Sequence, residues 1–222
     1  MSSSIIHLCV AKEILKELNL DKQKFLYGNI LPDFSNIENN HNDRRKITHF
    51  ERKSIINDIE FKVPDLEKLK NVLKLKSKDD IELGIYSHLY TDVLWINMLV
   101  EKHKQKVGDK VYIKTKNGLL EDQREIIYED YDAMNQEIIK NYDIGIDFIK
   151  ECKYEGSLKE MYNMQTKDIY KVMKEHFEKV PNNELKIFKM EEIYEFIRIA
   201  KDKIIKGLKK IIGEENVKEH TI

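Results

Sequence analysis

The chain has 222 residues, with 39 Lys and Arg, 40 Asp and Glu, and a formal net charge of −1. Its apolar content of 41% excludes disorder, and the balanced charge argues against a protein that mainly coats nucleic acid. Eight Gly and three Pro are too few for the turns of a many-stranded sheet, and two Cys do not make a disulfide framework.

The first third of the chain predicts helices separated by a buried turn and a loop. The serines at positions 2 to 4 supply a cap for a first helix, one face of which carries His7, Ala11, Ile14, Leu15 and Leu18. Residues 27–34 predict a buried turn, and residues 36–45 predict a polar surface loop. Residues 47–59 predict a helix, and Pro64 begins another that reaches about residue 75.

The remainder of the chain predicts longer helices. The strongest runs over residues 81–106 and is followed near 107–118 by alternating residues that predict a small hairpin. Further helices are predicted over 119–152, 157–179 and 189–212. The sequence therefore predicts an all-α fold: a single-domain, multi-helix bundle over residues 1–222, with at most a minor β-hairpin near 107–118.

The segment L-G-I-Y-S-H-L-Y-T-D, residues 83–92, places informative residues on one helical face. His88 and Asp92 are four residues apart, so their side chains project one turn apart and can bind one divalent cation. Gly84 lies one turn earlier, where the missing side chain leaves room for a neighbouring backbone or a ligand. The alternative is a hydrogen-bonded His–Asp pair inside the bundle.

Three further polar residues lie in apolar surroundings, where each needs a partner. His49 is flanked by apolar residues, Asp33 follows a proline in an apolar segment, and His7 lies on the apolar face of the first helix. Taken singly, each is also explained as a structural histidine or a turn cap. Together with His88 and Asp92, they suit zinc or a neighbouring first-row metal better than magnesium.

The order of these motifs resembles the zinc-dependent phospholipase C family, which shares its fold with fungal and plant single-strand nucleases. The resemblance covers roughly the first 100 residues and rests on four motifs. The first is an early histidine that opens a helix, here His7, and the second is G-x-x-x-P-D, here Gly28, Pro32 and Asp33. The third is T-H-F, which contains His49. The fourth is L-G-x-x-x-H-x-x-x-D, here Leu83, Gly84, His88 and Asp92.

The resemblance implies a zinc-dependent phosphoesterase that hydrolyses a phosphodiester, as a phospholipase C does. His49 and His88 would bind one zinc, with Asp33 as a further ligand or as the base that acts on the bound water. Asp92 would bridge that zinc to a second ion, which His7 would bind. Asp33 and Asp92 would be the catalytic residues, and paired metals would lower the pKa of a bridging water and hold the phosphoryl oxygens.

Two departures from the family pattern lower the expected number of metals. Secreted members bind a metal through the free amine of a mature N-terminal tryptophan, whereas this chain begins with Met-Ser and shows no processing site. The third zinc of the family uses a histidine where this chain has Met98, and a later histidine–acid pair where His176 is followed four residues on by Val180. We therefore expect one zinc, a second ion that lacks a ligand, and no third.

A few other residues are open to two interpretations. Asp132 and His103 are candidates to replace a missing ligand, although a solvated acidic helix face also explains Asp132. Trp95 shares the face of His88 and Asp92 and is either a pocket wall or a core residue. The last predicted helix is amphipathic and ends in basic residues, which favours ordinary packing and also permits peripheral contact with an anionic membrane.

Two other functions stand beside the phosphoesterase hypothesis. One is a non-catalytic helical protein that keeps a metal site for stability or partner binding. The other is an HD-type phosphohydrolase, which needs a His-Asp dipeptide that none of the seven histidines supplies. The sequence predicts no transmembrane segment, no signal peptide and a cytoplasmic location. The expected partner is a phosphate-ester substrate, and stable nucleic-acid binding is not expected.

Overall fold

A computed structural model describes residues 1–34, 41–73, 79–121, 124–180 and 184–213, which are mostly α-helical. The first half contains α1 (Ser4–Leu15), α2 (Lys22–Gly28), α3 (His41–Thr48), α4 (Leu66–Leu73) and α5 (Asp80–Trp95). The helix α5 continues through a π-helical turn (Ile96–Val100) into the short α6 (Glu101–His103). The second half contains α7 (Arg124–Tyr142), α8 (Thr166–Glu178) and α9 (Met190–Ile212). The predicted fold class is confirmed.

The helices α1 and α5 form the centre of the bundle. Residues 4–11 of α1 are buried, and so is α5 along almost its whole length. The helix α1 packs against α9, α7 and α2, while α5 packs against α2, α9 and α4. Because both helices are covered on several sides, apolar residues occur around most of their circumference instead of in one stripe. Polar side chains on these two helices are therefore held inside the core.

Two small antiparallel sheets accompany the helices, whereas the sequence predicted at most one hairpin. The first sheet pairs β1 (Glu51–Ile56) with β2 (Ile59–Pro64). The second has the order β3-β4-β5, formed by β3 (Lys104–Val107), β4 (Lys110–Thr115) and β5 (Gly118–Glu121). This sheet includes the predicted hairpin near 107–118 and adds a third strand. Its strands replace the end of the helix predicted over 81–106 and the start of the helix predicted over 119–152. The second of these helices also ends earlier than predicted, at Tyr142.

The helix predicted over residues 47–59 is wrong, because this segment enters the first hairpin. Ile59, Phe61 and Val63 are buried and alternate with exposed residues, which is the period of a half-buried strand. Asn57 and Asp58 have φ angles of 48° and 60°. Positive φ at both central residues is the conformation of a two-residue hairpin turn, and Asn and Asp adopt it more readily than most residues.

Several other boundaries differ from the predicted ones. The buried turn predicted over 27–34 contains the end of α2 and a 3-10 turn, Leu31–Asp33. The loop predicted over 36–45 is helical from His41 onward, and residues 35–40 lie outside the described ranges. The helix after Pro64 spans Leu66–Leu73, with residues 74–78 outside the described ranges. The helix predicted over 157–179 begins at Thr166, and the helix predicted over 189–212 is confirmed as α9.

Candidate metal centre

Five side chains from four separate segments meet in the core. His7 lies on α1, Asp33 in the 3-10 turn, His49 directly after α3, and His88 and Asp92 on α5. Four of the five side chains are no more than 1% exposed, and the Asp33 side chain is 29% exposed. The structure therefore brings together every residue that the sequence indicated as a metal ligand. We call these five residues the metal cluster.

Asp33, His49, His88 and one oxygen of Asp92 surround a common point. His49 Nε2 lies 3.2 Å from His88 Nε2, 3.5 Å from Asp33 Oδ1 and 3.7 Å from Asp92 Oδ2. His88 Nε2 lies 3.8 Å from each of the same two oxygens. Two atoms that bind zinc tetrahedrally at its usual bond lengths are about 3.3 Å apart. These atoms are therefore spaced much as the ligands of one ion would be.

The two carboxylate oxygens of Asp92 have different surroundings. Oδ1 accepts a hydrogen bond from the backbone N–H of Ser2 at 2.8 Å and lies 3.3 Å from Nε2 of His7. Oδ2 is buried beside His49 and His88 and has no hydrogen-bond partner in the described part of the chain. A buried carboxylate oxygen without a donor is costly, and a cation bound by this cluster would satisfy it. The donor set thus fits a metal ion.

Hydrogen bonds on the far sides of two histidine rings orient them. His88 Nδ1 donates to the carbonyl oxygen of Asn29 at 2.7 Å, which leaves the lone pair of Nε2 facing the cluster. His49 Nδ1 lies 2.9 Å from Oγ1 of Thr48, and the Thr48 carbonyl accepts a hydrogen bond from Tyr162. Partners of this kind hold metal-binding imidazoles in the correct orientation.

Two glycines allow α2 to approach α5 closely enough for the hydrogen bond between Asn29 and His88. A Cβ atom on Gly28 would lie 2.1 Å from a carbonyl oxygen of α5, and one on Gly84 would lie 2.4 Å from a carbonyl oxygen of α2. Gly28 directly precedes Asn29, and Gly84 lies one turn before His88. The helix contact therefore sets the position of a candidate ligand, and Gly84 makes room for a neighbouring backbone, as its position in the motif predicted.

The backbone turns sharply where His49 leaves α3. The N–H of His49 still donates to the Arg45 carbonyl of the helix, and the next residue, Phe50, has a φ angle of 51°. This left-handed conformation is uncommon for an aromatic residue. Backbone strain of this kind is often retained at functional sites, and here it joins the histidine to the start of β1.

The charges of the cluster suit a divalent cation. Burial, aided by the neighbouring His7, lowers the pKa of His88 to about 3, so its imidazole is neutral at physiological pH. Burial acts to raise the pKa of Asp33 and of Asp92. The neighbouring histidines, chiefly His88 for Asp33 and His7 for Asp92, outweigh burial and hold both pKa values well below the usual range. Neutral imidazoles and ionised carboxylates are the forms that bind metals.

His7 forms a second group with His88 and Asp92. Its ring stacks on that of His88, with centroids 3.6 Å apart and planes 11° apart. Within the described residues, two triads have ligand atoms close enough to hold an ion, Asp33–His49–His88 and His7–His88–Asp92. We call His7 Nε2 together with Asp92 Oδ1 the second cation position.

Three other candidates from the sequence are engaged elsewhere. Asp132 pairs with Lys179 at 2.5 Å, and His103 Nε2 lies 3.2 Å from the carboxylate of Glu192. Neither residue replaces a missing ligand. Trp95 is fully buried against three aromatic rings, and its Nε1 donates a hydrogen bond to Tyr131. It is therefore a core residue.

The residues that hold the candidate ligands were not predicted from the sequence. Asn29 acts through its backbone carbonyl, which no side-chain pattern can indicate. Of the three N-terminal serines, Ser3 caps α1 by accepting a hydrogen bond from the N–H of Ile6. Ser2 instead contacts Asp92, and the hydroxyl of Ser4 donates to the Asp33 carboxylate at 3.4 Å. The signal was a run of serines directly before a helix that carries a histidine.

Comparison with known proteins points to the same chemistry. No helix in the described ranges is both long and apolar enough to cross a membrane. No curated protein and no solved structure matches the chain. A family model described as zinc dependent phospholipase C matches residues 6–203, which include all five residues of the metal cluster. Because the match covers most of the chain, the protein belongs to the zinc-dependent phospholipase C family.

Proposed function

We propose that the protein is a zinc-dependent phosphoesterase that hydrolyses a phosphodiester bond of a phospholipid. The observation that carries this proposal is the set of distances, from 3.2 to 3.8 Å, that join the facing atoms of His49, His88, Asp33 and Asp92. Family membership supports the same metal and the same class of reaction. The expected metal content is one tightly bound zinc.

The proposed ligands are His49 Nε2, His88 Nε2, Asp33 Oδ1 and Asp92 Oδ2. When bound in such a site, zinc lowers the pKa of a coordinated water to about 7 and polarises a phosphoryl oxygen. The other ligands are almost fully buried, whereas the Asp33 side chain is 29% exposed. We therefore expect substrate to approach beside Asp33.

Asp33 and Asp92 have different proposed roles because their surroundings differ. Asp33 is ionised and reaches solvent, so its carboxylate can orient the attacking water and accept its proton. Asp92 is enclosed, and its role is to hold the cation. Within the described ranges, no other carboxylate on the same face of α5 is placed to bind the cation instead of Asp92.

The test compares Asp92→Asn with the wild-type protein. The substitution keeps the shape of the side chain and removes its negative charge. We expect zinc content to fall and hydrolysis of phosphatidylcholine and of a chromogenic phosphodiester to drop by orders of magnitude, while the helical far-UV spectrum stays unchanged. His103→Ala is the control, because His103 lies beside Glu192 outside the cluster, and this variant should retain both zinc and activity.

Two results would contradict the proposal. If zinc-loaded wild-type protein hydrolyses neither phospholipid nor simple phosphodiester, the metal serves stability or partner binding instead. If Asp92→Asn stays fully active, the chemistry is located elsewhere in the chain.

A further inference from the structure

The second sheet, β3-β4-β5, has one face that is open to solvent. Ile113 of β4 is 1% exposed, so the face that carries it packs against the rest of the protein. Side chains alternate between the two faces of a strand, and directly paired residues share a face. The register therefore places on the opposite face Gln105, Val107, Lys110, Tyr112, Lys114 and Leu119. We call these residues the open face.

The open face carries aliphatic side chains that nothing covers. Val107 is 49% exposed at the end of β3, and Leu119 is 46% exposed at the start of β5. They lie at opposite corners of the sheet, with Tyr112 of the central strand between them. Removing this apolar surface from water would be favourable, so the open face has the composition of a contact surface.

The same segment is strongly basic. Residues 102–120 contain six lysines and one acidic residue, Asp109, although the whole chain has a net charge of −1. Lys110 and Lys114 belong to the open face itself. Lys114 Nζ lies 3.5 Å from the carbonyl oxygen of Lys102, a contact that leaves the positive charge in place. The open face therefore combines exposed aliphatic groups with an excess of positive charge.

The second sheet borders the hairpin that follows a proposed zinc ligand. The ammonium group of Lys104, the first residue of β3, lies 5.7 Å from the centre of the Phe61 ring of β2. Asn57, in the turn between β1 and β2, donates a hydrogen bond to Glu101, shortly before β3. Because β1 starts shortly after His49, the sheet and the metal cluster are joined through one short hairpin.

An anionic phospholipid surface matches both properties of the open face. Its headgroups attract lysines, and the boundary of its hydrocarbon layer accepts aliphatic side chains and the amphipathic ring of Tyr112. A nucleic acid would also attract the lysines, but it offers no apolar phase to Val107 and Leu119. Sheets that bind RNA stack its bases on several aromatic residues, and this face has one.

We propose that the open face docks the protein onto an anionic phospholipid membrane. The inference rests on the proposed function, because docking would bring the metal centre to a phospholipid substrate. The lysines supply the long-range attraction, and Val107 and Leu119 enter the boundary of the hydrocarbon layer. Each lysine near an anionic leaflet raises the affinity about fivefold, and added salt weakens this contribution.

The experiment is surface plasmon resonance on captured vesicles of phosphatidylcholine and phosphatidylglycerol in equal parts. A low temperature allows binding to be recorded before turnover. Wild-type protein should bind these vesicles about tenfold or more tightly than vesicles of phosphatidylcholine alone. The double variant Lys110→Gln with Lys114→Gln should bind the mixed vesicles about 10- to 30-fold more weakly than wild type. Val107→Ser with Leu119→Ser should weaken this binding about 5- to 20-fold.

The helix α9, which also has a basic end, supplies the matched control. Lys203→Gln with Lys206→Gln removes the same charge from exposed positions of α9, and this variant should bind mixed vesicles as tightly as wild type. Circular dichroism shows whether each variant has folded. If the variant with two serines does not fold, the lysine variant and the α9 control decide the question.

Several results would overturn the docking surface. One is equal binding of wild type and the Lys110–Lys114 variant to mixed vesicles. Another is an equal loss of binding in the α9 control, which would mean that charge acts without a defined surface. A single-stranded oligonucleotide whose binding needs these lysines, but not Val107 and Leu119, would assign the face to nucleic acid. A dimer that the two serine substitutions dissociate would assign it to a second copy of the chain.

Hydrolysis assays separate this inference from the proposed function. All variants of the open face should hydrolyse a short-chain, monomeric phosphatidylcholine as wild type does, whereas their hydrolysis of mixed vesicles should fall in step with binding. Protein that binds mixed vesicles through the open face but hydrolyses neither substrate overturns the proposed function alone. Protein that hydrolyses the monomeric substrate but does not bind mixed vesicles overturns the docking surface alone.

Discussion

Replacing Gly84 with Ala tests whether the close approach of α2 and α5 builds the metal centre. Helix propensity alone predicts that this change stabilises the protein by about 1 kcal/mol, because Gly84 lies within a helix. The structure predicts the opposite sign. The added Cβ would lie 2.4 Å from a carbonyl oxygen of α2 and 2.8 Å from the Cα of Gly28. Both neighbours are backbone atoms, which cannot move aside as the end of a side chain can.

The size of the effect follows from these distances. Ordinary contact begins at 3.4 Å, so the two backbones must separate by about 1 Å. The same movement would lengthen the hydrogen bond from His88 to Asn29, now 2.7 Å, to about 3.7 Å, beyond bonding range. We therefore expect a net loss of about 1–3 kcal/mol in unfolding free energy. Zinc affinity should fall by about 10- to 100-fold, since His88 loses the partner that orients it.

Urea denaturation measures the stability change, and competition with a chromophoric chelator measures the zinc affinity. Gly145→Ala is the control, because a Cβ at that position meets nothing within 4 Å. This variant should bind zinc as tightly as the wild-type protein, and its unfolding free energy should be equal to that of the wild type or slightly higher. The Gly84→Ala variant is compared with both proteins. If it is as stable as Gly145→Ala and binds zinc as tightly as wild type, the close approach of α2 and α5 does not build the metal centre.

Three further predictions concern protons, metal and the core. When metal-free protein is acidified below pH 6.5, its unfolding free energy should fall by about 1.4 kcal/mol per pH unit because of His88 alone. The His88 ring has a pKa near 6.5 in the unfolded chain, whereas in the folded protein it stays neutral down to about pH 3. Urea midpoints that are equal at pH 6.5 and pH 4.5 would contradict this. Zinc at 100 times its Kd should add about 2.7 kcal/mol of stability, and a Tm that chelation leaves unchanged would argue against a folded-state site. Asp130→Ala should cost about 3 kcal/mol, because this buried carboxylate accepts three backbone N–H groups of residues 186–188. The control is Asp132→Ala, which breaks a partly exposed ion pair on the same helix and should cost about 1 kcal/mol or less. If urea denaturation gives the same cost for Asp130→Ala and Asp132→Ala, the difference in burial between the two carboxylates is unimportant.

The regular part of the metal cluster could be predicted from local spacing. His88 and Asp92 share a helical face because they are four residues apart, and Gly84 lies on that face one turn earlier. The convergence of His7, Asp33 and His49 on that pair was expected from their residue types in apolar surroundings and from the family resemblance. These residues lie in different segments, and no local period relates them. A cytoplasmic location, the lack of stable nucleic-acid binding and peripheral contact with a membrane stay predictions.

The fold was predicted best where one period dominates. The amphipathic pattern of α9 placed that helix to within a residue at its start. The hairpin over residues 51–64 was missed because Ile55 and Ile56 interrupt the alternation of β1, and Ile55 is 75% exposed. The turn residues Asn57 and Asp58 carried the better signal.

The sequence by itself determined the residue types of the metal cluster, the helical spacing of its central pair and the mostly helical class of the fold. These properties depend on composition and on periods of a few residues. Only the tertiary structure decided that Asp92 presents one oxygen to His49 and His88 and the other to Ser2, a residue 90 positions away. It also decided that Asn29 orients His88. Contacts of this kind depend on how closely the helices pack, and no local pattern in the chain encodes that distance.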